Sequence, residues 1–382
     1  MTHLLNAIDD QLAPWLKVRG QGAYRAQQIR HWLFGKRAKS FAEMTNLPQA
    51  LREELATEFS LWNSTIARHT QADDGTEKLL LTLADGGQIE CVLLRDDHQS
   101  NLPIREGQGE GSHSGRRTIC ISTQVGCGMG CVFCASGLEG LQRNLTTGEI
   151  VEQMLHLQQR LGPDERLSHI VVMGMGEPLA NIDALLPALD EASREDGLGI
   201  SGRRITISTV GLTKAMRKLS ETNPRYRLAV SLHAPNDELR QRIVPVADKI
   251  PIADVLAEAD HYFERSGRQL TFEYVLLADL NDSPAHAAEL ASILAGRTAM
   301  LNVIPYNPVA GLPYGTPSLA AQRAFRQTLE DRGVNVHFRH RKGDAIDAAC
   351  GQLRRRSQSD ELVSIGAVAR HGDVETRRNG DI

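Results

Sequence analysis

Six cysteines in 382 residues are too few for a disulfide framework, and no apolar run approaches membrane-spanning length. The N-terminus, MTHLLNAIDDQLAPWLKVRG, carries acidic residues inside its first apolar stretch and lacks a small-residue cleavage site, which argues against a secretory signal. Together these absences predict a cytoplasmic protein without membrane contact; a monomer is expected. A net charge of -4 excludes a chain coated in positive charge but says nothing of local patches. With 41% hydrophobic residues, the chain can still bury a sizeable core.

One basic patch is present. Between Lys17 and Lys39 the sequence KVRGQGAYRAQQIRHWLFGKRAK carries Lys17, Arg19, Arg25, Arg30, Lys36, Arg37 and Lys39 with no acidic residue, interleaved with Tyr24, Trp32 and Phe34. Cations for phosphates and aromatic faces for bases suit a nucleic-acid surface. The same stretch also reads as an amphipathic helix with Ile29, Trp32 and Leu33 packed inward and its cations solvated. The residues alone leave both readings open.

Four regions are predicted. Residues 1–76 form a small helical domain, in which Ser40 and Glu43 have capping-box spacing. Residues 77–117 hold a β-hairpin, Glu77 to Leu94 around the turn ADGG, and an exposed flexible loop from Arg95 to Arg117. Residues 118–353 form the main α/β domain, and 354–382 a polar tail in which Arg354, Arg355 and Arg356 are solvated. In the main domain the short strands TICIST, HIVVMG, RITIS, RLAVSLH, LTFEYVLL, AMLNVIP and VNVHFRH alternate with helical stretches, the rhythm of parallel βαβ units. The first strand lacks a G-x-G-x-x-G fingerprint, so a partial (β/α)6-type barrel is expected over a doubly wound sheet. Chemistry then belongs on the loops after the strands. The cysteine loop, GMGEP, STVG, SLHAPND and YNP all fall there.

The cysteine loop is the sharpest signal. Cys127, Cys131 and Cys134 fall within eight positions, spaced Cys-x3-Cys-x2-Cys, among small residues that let the loop wrap closely. Structural zinc needs four protein ligands, and no fourth Cys or His follows at finger spacing. Three thiolates with an open fourth position suit a four-iron cluster whose free iron binds a small molecule. Thr146 and Glu149 cap the helix that follows.

This spacing, with GMGEP after the next strand, resembles the radical S-adenosylmethionine enzymes. The stretches CVFCASGLEGLQRNLTTGEI, VVMGMGEPLAN, RITISTVG, AVSLHAPND, NVIPYNP and GDAIDAACGQL, in this order from about Gly22 to Leu353, further resemble the radical S-adenosylmethionine RNA methyltransferases acting on adenosine C2. The resemblance implies methylation of an adenosine in the peptidyl-transferase centre of 23S rRNA and of the adenosine 3′ of the tRNA anticodon. It also implies one [4Fe-4S] cluster, two S-adenosylmethionine molecules per turnover, and an electron donor such as flavodoxin or ferredoxin.

The resemblance carries roles to particular residues. Cys127, Cys131 and Cys134 would hold the cluster. Gly176, Glu177, Ser208, Ser231, Leu232, His233 and Asn307 would contact S-adenosylmethionine. Cys350 would carry the methyl group on its sulfur, and a radical made from a second S-adenosylmethionine would activate it for addition to adenine. Cys120 would release product through a transient disulfide with Cys350. Glu90, sharing a strand face with Val92 and Leu94, would be the proton acceptor, its pKa raised by desolvation. Without the resemblance Cys120 would read as a core residue, His233 as a satisfied polar residue and Glu90 as a solvated one; Cys91 is taken as structural.

Three departures stand out: a longer loop between Glu90 and Cys120, STVG for the usual Ser-Thr-Ser-Gly, and RIVPVADK without an asparagine common in the family. Two alternatives stay open. One is a C8-methylating relative that confers antibiotic resistance. The other is an RNA-binding protein with a structural cluster, against which Cys120, Cys350 and Glu90 together argue.

Overall fold

The structure, a computed structural model, describes residues 1–8, 10–96, 115–222, 224–339 and 346–353. Its centre is one ten-stranded sheet whose strands lie side by side in chain order. These are β1 (Ser64–Gln71), β2 (Glu77–Leu83), β3 (Gln88–Asp96), β4 (Arg116–Cys120), β5 (His169–Val172), β6 (Ile205–Thr209), β7 (Arg227–Ser231), β8 (Leu270–Leu276), β9 (Ala299–Pro305) and β10 (Val336–Phe338). From β4 to β10 every neighbouring pair is parallel, and β1 to β4 are antiparallel. Helices such as Thr147–Gln158, Ile182–Ser193 and Ile252–Ser266 make the crossovers. Apolar strands covered by helices are what parallel pairing requires. Among the described residues β1 and β10 do not pair, so the barrel stays open.

Two expected boundaries shift. Ser64–Gln71, placed within the helical region 1–76, is an edge strand of the main sheet, paired antiparallel with Glu77–Leu83. Its sequence STIARHTQ lacks apolar alternation because the strand is mostly exposed and held by backbone bonds. Arg95, Asp96, Arg116 and Arg117, placed in the flexible loop, also pair as strand, Arg95 with Arg117 and Asp96 with Arg116. The hairpin thus extends the barrel sheet. The rest of that loop, 97–114, and the tail 354–382 lie outside the described residues.

Local capping went two ways. Thr146 and Glu149 form a complete capping box. Ser40 and Glu43 do not: Phe41–Glu43 is a single tight turn, and the Glu43 carboxylate accepts from the Lys39 N–H instead.

The basic stretch is partly structural. Arg30 is buried and donates to Glu191 at 2.6 Å and Asp196 at 2.9 Å, pinning the N-terminal helices to the barrel helix Ile182–Ser193. The Arg37 guanidinium donates to the carbonyls of Leu161, Gly162 and Glu165. Arg19 pairs with Glu54. Phe34 is buried with Ile29 and Leu33, while Trp32 is half-buried. Lys17, Tyr24, Lys36 and Lys39 remain exposed.

Candidate active site

The loop after β4 is shaped by a small antiparallel ladder, Gln124–Gly126 with Leu141–Asn144, which returns the chain toward the capped helix. Between these strands Cys127, Cys131 and Cys134 line a cavity of about 890 Å³ that opens to solvent. Gly176, Glu177, Ser208, Ser231, His233, Asn307 and Cys350 line the same cavity, so six separate segments, the cysteine loop included, converge there. Leu232 does not: its side chain is fully buried in the core, and only its N–H is engaged, donating to the Glu273 carbonyl at 3.0 Å. A strand-end residue between two cavity-facing neighbours must point the other way.

Close packing explains the glycines of GMGEP. A Cβ on Gly174 would lie 2.6 Å from the Ile121 carbonyl oxygen, and one on Gly176, whose φ is +102°, 2.6 Å from Gln124 Cβ. Glu177 is buried. Its two carboxylate oxygens accept from the N–H groups of Leu179 at 3.0 Å and Val210 at 2.9 Å, while burial pushes its pKa up. The contact at Val210 is made by backbone, so the STVG departure keeps it. His233 adopts φ +60°. Its ring packs edge-on against Phe133, and Nδ1 accepts from the Val275 N–H at 3.1 Å. Burial, then Arg240, lowers its pKa to about 3, so the ring is neutral with its proton on Nε2.

Burial raises the Cys127 thiol to about 11 and pushes Cys131 and Cys134 upward as well. A cationic centre would reverse that penalty. The donor set fits an iron–sulfur cluster: three soft sulfurs on one loop face a shared cavity, and each sulfur of such a cluster takes its own iron. Among the described residues no group of three or more His, Cys, Asp or Glu is arranged around a single ion. Asn307 adds a buried Oδ1 without a hydrogen-bond partner at the cavity wall, ready for a polar small molecule.

Cys350 stands at a junction. It lines the first cavity and also a second, of about 1390 Å³, with Val92, Leu94, Cys120, Met173 and Arg339. Its segment is tied to the cysteine loop, with the Ala135 N–H donating to the Gly351 carbonyl at 2.7 Å and Ser136 Oγ to the Leu353 carbonyl at 2.6 Å. Burial first, and the neighbouring Cys350 second, push the Cys120 thiol up to about 12. Arg339 Nη1 donates to Cys350 Sγ at 3.6 Å.

Glu90 is not brought to this pair. It is buried on the same strand as Val92, but it faces a separate cavity with Arg68, Thr70, Ile346 and Asp347. There Lys78 Nζ lies 3.0 Å from Glu90 Oε1 and donates to the Asp347 carbonyl at 2.9 Å. An ion pair, rather than apolar neighbours alone, therefore surrounds this carboxylate.

Sequence reading also missed residues. Arg339 directly follows the last strand, where barrel logic places chemistry, and that position was the available signal. Glu273, a carboxylate inside the apolar run LTFEYVLL, lines the first cavity and accepts from Asn302 Nδ2 at 2.7 Å.

Residues 121–291 match the radical SAM superfamily, and residues 2–61 match the ribosomal RNA large subunit methyltransferase N-terminal domain. A protein of Rhodopirellula baltica named "probable dual-specificity RNA methyltransferase RlmN" is 62% identical over 92% of this chain and 91% of its own. The chain belongs to the RlmN family. An Opitutus terrae member, named "probable dual-specificity RNA methyltransferase RlmN 3", is 45% identical over 94% of this chain and 96% of its own. The crystal structure of a radical SAM methyltransferase from Sphaerobacter thermophilus superposes with a TM-score of 0.84 at 40% identity, covering 93% of this chain and 99% of that one. Membership makes the protein a radical SAM RNA methyltransferase, a class that works with a [4Fe-4S] cluster and S-adenosylmethionine. No helix among the described residues is long and apolar enough to cross a membrane.

Proposed function

We propose that this enzyme methylates C2 of an adenosine in the peptidyl-transferase centre of 23S rRNA, and the adenosine 3′ of the anticodon in tRNA. The observation that carries the reading is the shared wall of the second cavity, where Cys120 and Cys350 face one space beside the cavity of the cysteine triplet. The names of the similar proteins, dual-specificity RNA methyltransferases, support two RNA substrates.

Adenine C2 is electron-poor and has no nucleophilic lone pair, so it cannot simply displace a methyl group from a sulfonium. A carrier residue solves this. Cys127, Cys131 and Cys134 hold the cluster, which with two molecules of S-adenosylmethionine per turnover supplies a methyl group and a hydrogen-abstracting radical. Gly176, Glu177, Ser208, Ser231, His233 and Asn307 bind and orient that cofactor; Leu232 contributes through its backbone. Cys350 Sγ carries the transferred carbon, with Arg339 fixing the sulfur between the two cavities. Joining that carbon to adenine C2 forms the C–C bond and breaks the C2–H bond: Glu90, once it leaves Lys78 and turns out of its own cavity, takes the proton, and the one surplus electron of the adduct would return to the cluster. Cys120 then attacks Cys350 Sγ: the S–S bond forms, the S–C bond breaks, and the electron pair left on carbon takes a proton to complete the methyl group. The exposed Lys17, Tyr24, Lys36 and Lys39 of the N-terminal domain contribute to RNA binding. The chain works as a monomer, with flavodoxin or ferredoxin as electron donor.

The test is anaerobic. Reconstituted protein, S-adenosylmethionine, reductant and unmethylated 23S rRNA are combined, and the digest is compared with 2-methyl- and 8-methyladenosine standards by mass spectrometry. The 2-methyl product is expected and should vanish in Cys350→Ala. An 8-methyl product would reassign the enzyme to the C8 reaction, and no product from either RNA would overturn the reading.

A further inference from the structure

The open barrel has a second mouth, at the opposite ends of the strands from the cysteine loop, and its inner face is cationic. Side chains alternate across a sheet, so residues two apart share a face. Arg116, Thr118 and Cys120 of β4 all line the second cavity, as do Val171 of β5 and Met173 just after it. Counting back by twos puts His169 on the inner face. Ser231 lines the first cavity, and the same count puts Arg227, first in β7, on the inner face too; Arg204, the last residue of the tight turn Gly202–Arg204 before β6, lies close enough for its charge to act on His169. The register agrees: Thr118 pairs with His169, and Thr206 with Arg227. Three arginines thus gather around His169. Burial first, and then Arg116, Arg204 and Arg227, lower that imidazole to about 4, so it is neutral near pH 7 and adds no charge of its own.

These arginines are exposed. Arg116 Nε donates to Thr118 Oγ1 at 3.1 Å, and Asp96, paired with it in register, brings a carboxylate to this mouth. Arg204 and Arg227 have no side-chain hydrogen bond or ion pair among the described residues. Arg204 and Arg227, exposed and without carboxylate partners among the described residues, suit phosphate groups.

The cavity joins this mouth to the chemistry. One continuous wall runs from Asp96 and Arg116 past Thr118 and Val171 to Cys120, Arg339 and Cys350. Four residue steps along the strand, about 13 Å, separate Arg116 from Cys120. That depth matches a nucleotide whose phosphate stays at the mouth while its base reaches the sulfurs. Enzymes that act on a base ring turn it out of its stack into such a pocket.

We infer that Arg116, Arg204 and Arg227 form the phosphate-binding entrance through which an extruded nucleotide of single-stranded RNA enters the barrel toward Cys350. The inference rests on the RNA methyltransferase reading and adds the route and the groups that grip the backbone.

Fluorescence anisotropy tests it, using a labelled 23S rRNA fragment that contains the target adenosine, over a salt series. The double variant Arg204→Ala/Arg227→Ala should bind more weakly, and its log–log salt slope should fall by about 1.4, since each lost contact to a single strand removes about 0.7. Arg204→Lys/Arg227→Lys should restore most of the slope. Lys214→Ala, an exposed cation on the outer helix Thr213–Glu221, should match the unmodified protein. An unchanged slope in the double alanine variant, with normal thermal melting and RNA binding by the unmodified chain, would overturn the inference alone. Absence of RNA binding by the unmodified chain would overturn the RNA reading and the inference with it.

Discussion

Arg339 Nη1 and Cys350 Sγ lie 3.6 Å apart at the wall between the two cavities. A guanidinium there orients the sulfur with a charge-assisted hydrogen bond. Hydrogen bonds to charged groups contribute about 1.5–3 kcal/mol, roughly one to two orders of magnitude in rate. Arg339→Met should slow methylation of Cys350 by that factor in a single-turnover assay read by intact-protein mass, and Arg339→Lys should recover part of it. A purely packing role would leave the lysine variant no better than methionine.

Lys78 and Glu90 make the second test. Their side chains are 5% and 2% exposed and 3.0 Å apart. Removing one partner of a buried pair strands the other charge, at a cost of about 3–5 kcal/mol. Lys78→Met should lower the urea midpoint accordingly, and the double variant Lys78→Met/Glu90→Gln should recover much of the loss. Additive losses would mean the two groups act independently.

His233 sets a pH dependence. Its pKa falls from the ordinary 6.5 to about 3 on folding. Below pH 6.5 the unfolded chain binds a proton that the folded chain refuses until about pH 3, so this histidine's contribution shrinks as the pH falls through that window. The slope is at most about 1.4 kcal/mol per pH unit. Asparagine tolerates the φ of +60° and can still accept the Val275 N–H. His233→Asn should therefore flatten the acid limb of a stability–pH curve between 6.5 and 3, measured by denaturant titration.

Much of this was legible in the sequence, and the reasons are physical. The parallel strands were visible because strands buried on both faces must be short and apolar; AMLNVIP coincides with β9. The cysteine loop and the glycines of GMGEP were visible because close approach admits few residue types. Ser64–Gln71 was hidden because an exposed edge strand needs backbone partners and no apolar pattern. The basic stretch misled in part, since composition cannot tell an arginine that meets RNA from Arg30, which meets Glu191 and Asp196. Alternation put Glu90 and Val92 on one face correctly, but not in one cavity. Asp347 and Ile346, far along the chain, share the cavity of Glu90, and no local pattern encodes that contact.

The central claim is that Cys350 carries the carbon and Cys120 releases it. In Cys120→Ala the release step has no thiol, so the RNA should stay joined to the protein through Cys350. Anaerobic turnover of that variant with 23S rRNA, followed by nuclease digestion and peptide mass spectrometry, measures this directly. The account predicts a nucleotide adduct on the peptide bearing Cys350, absent from the unmodified enzyme and from Cys120→Ala/Cys350→Ala. Free methyladenosine released by Cys120→Ala at the normal rate, with Cys350 unmodified, would contradict it.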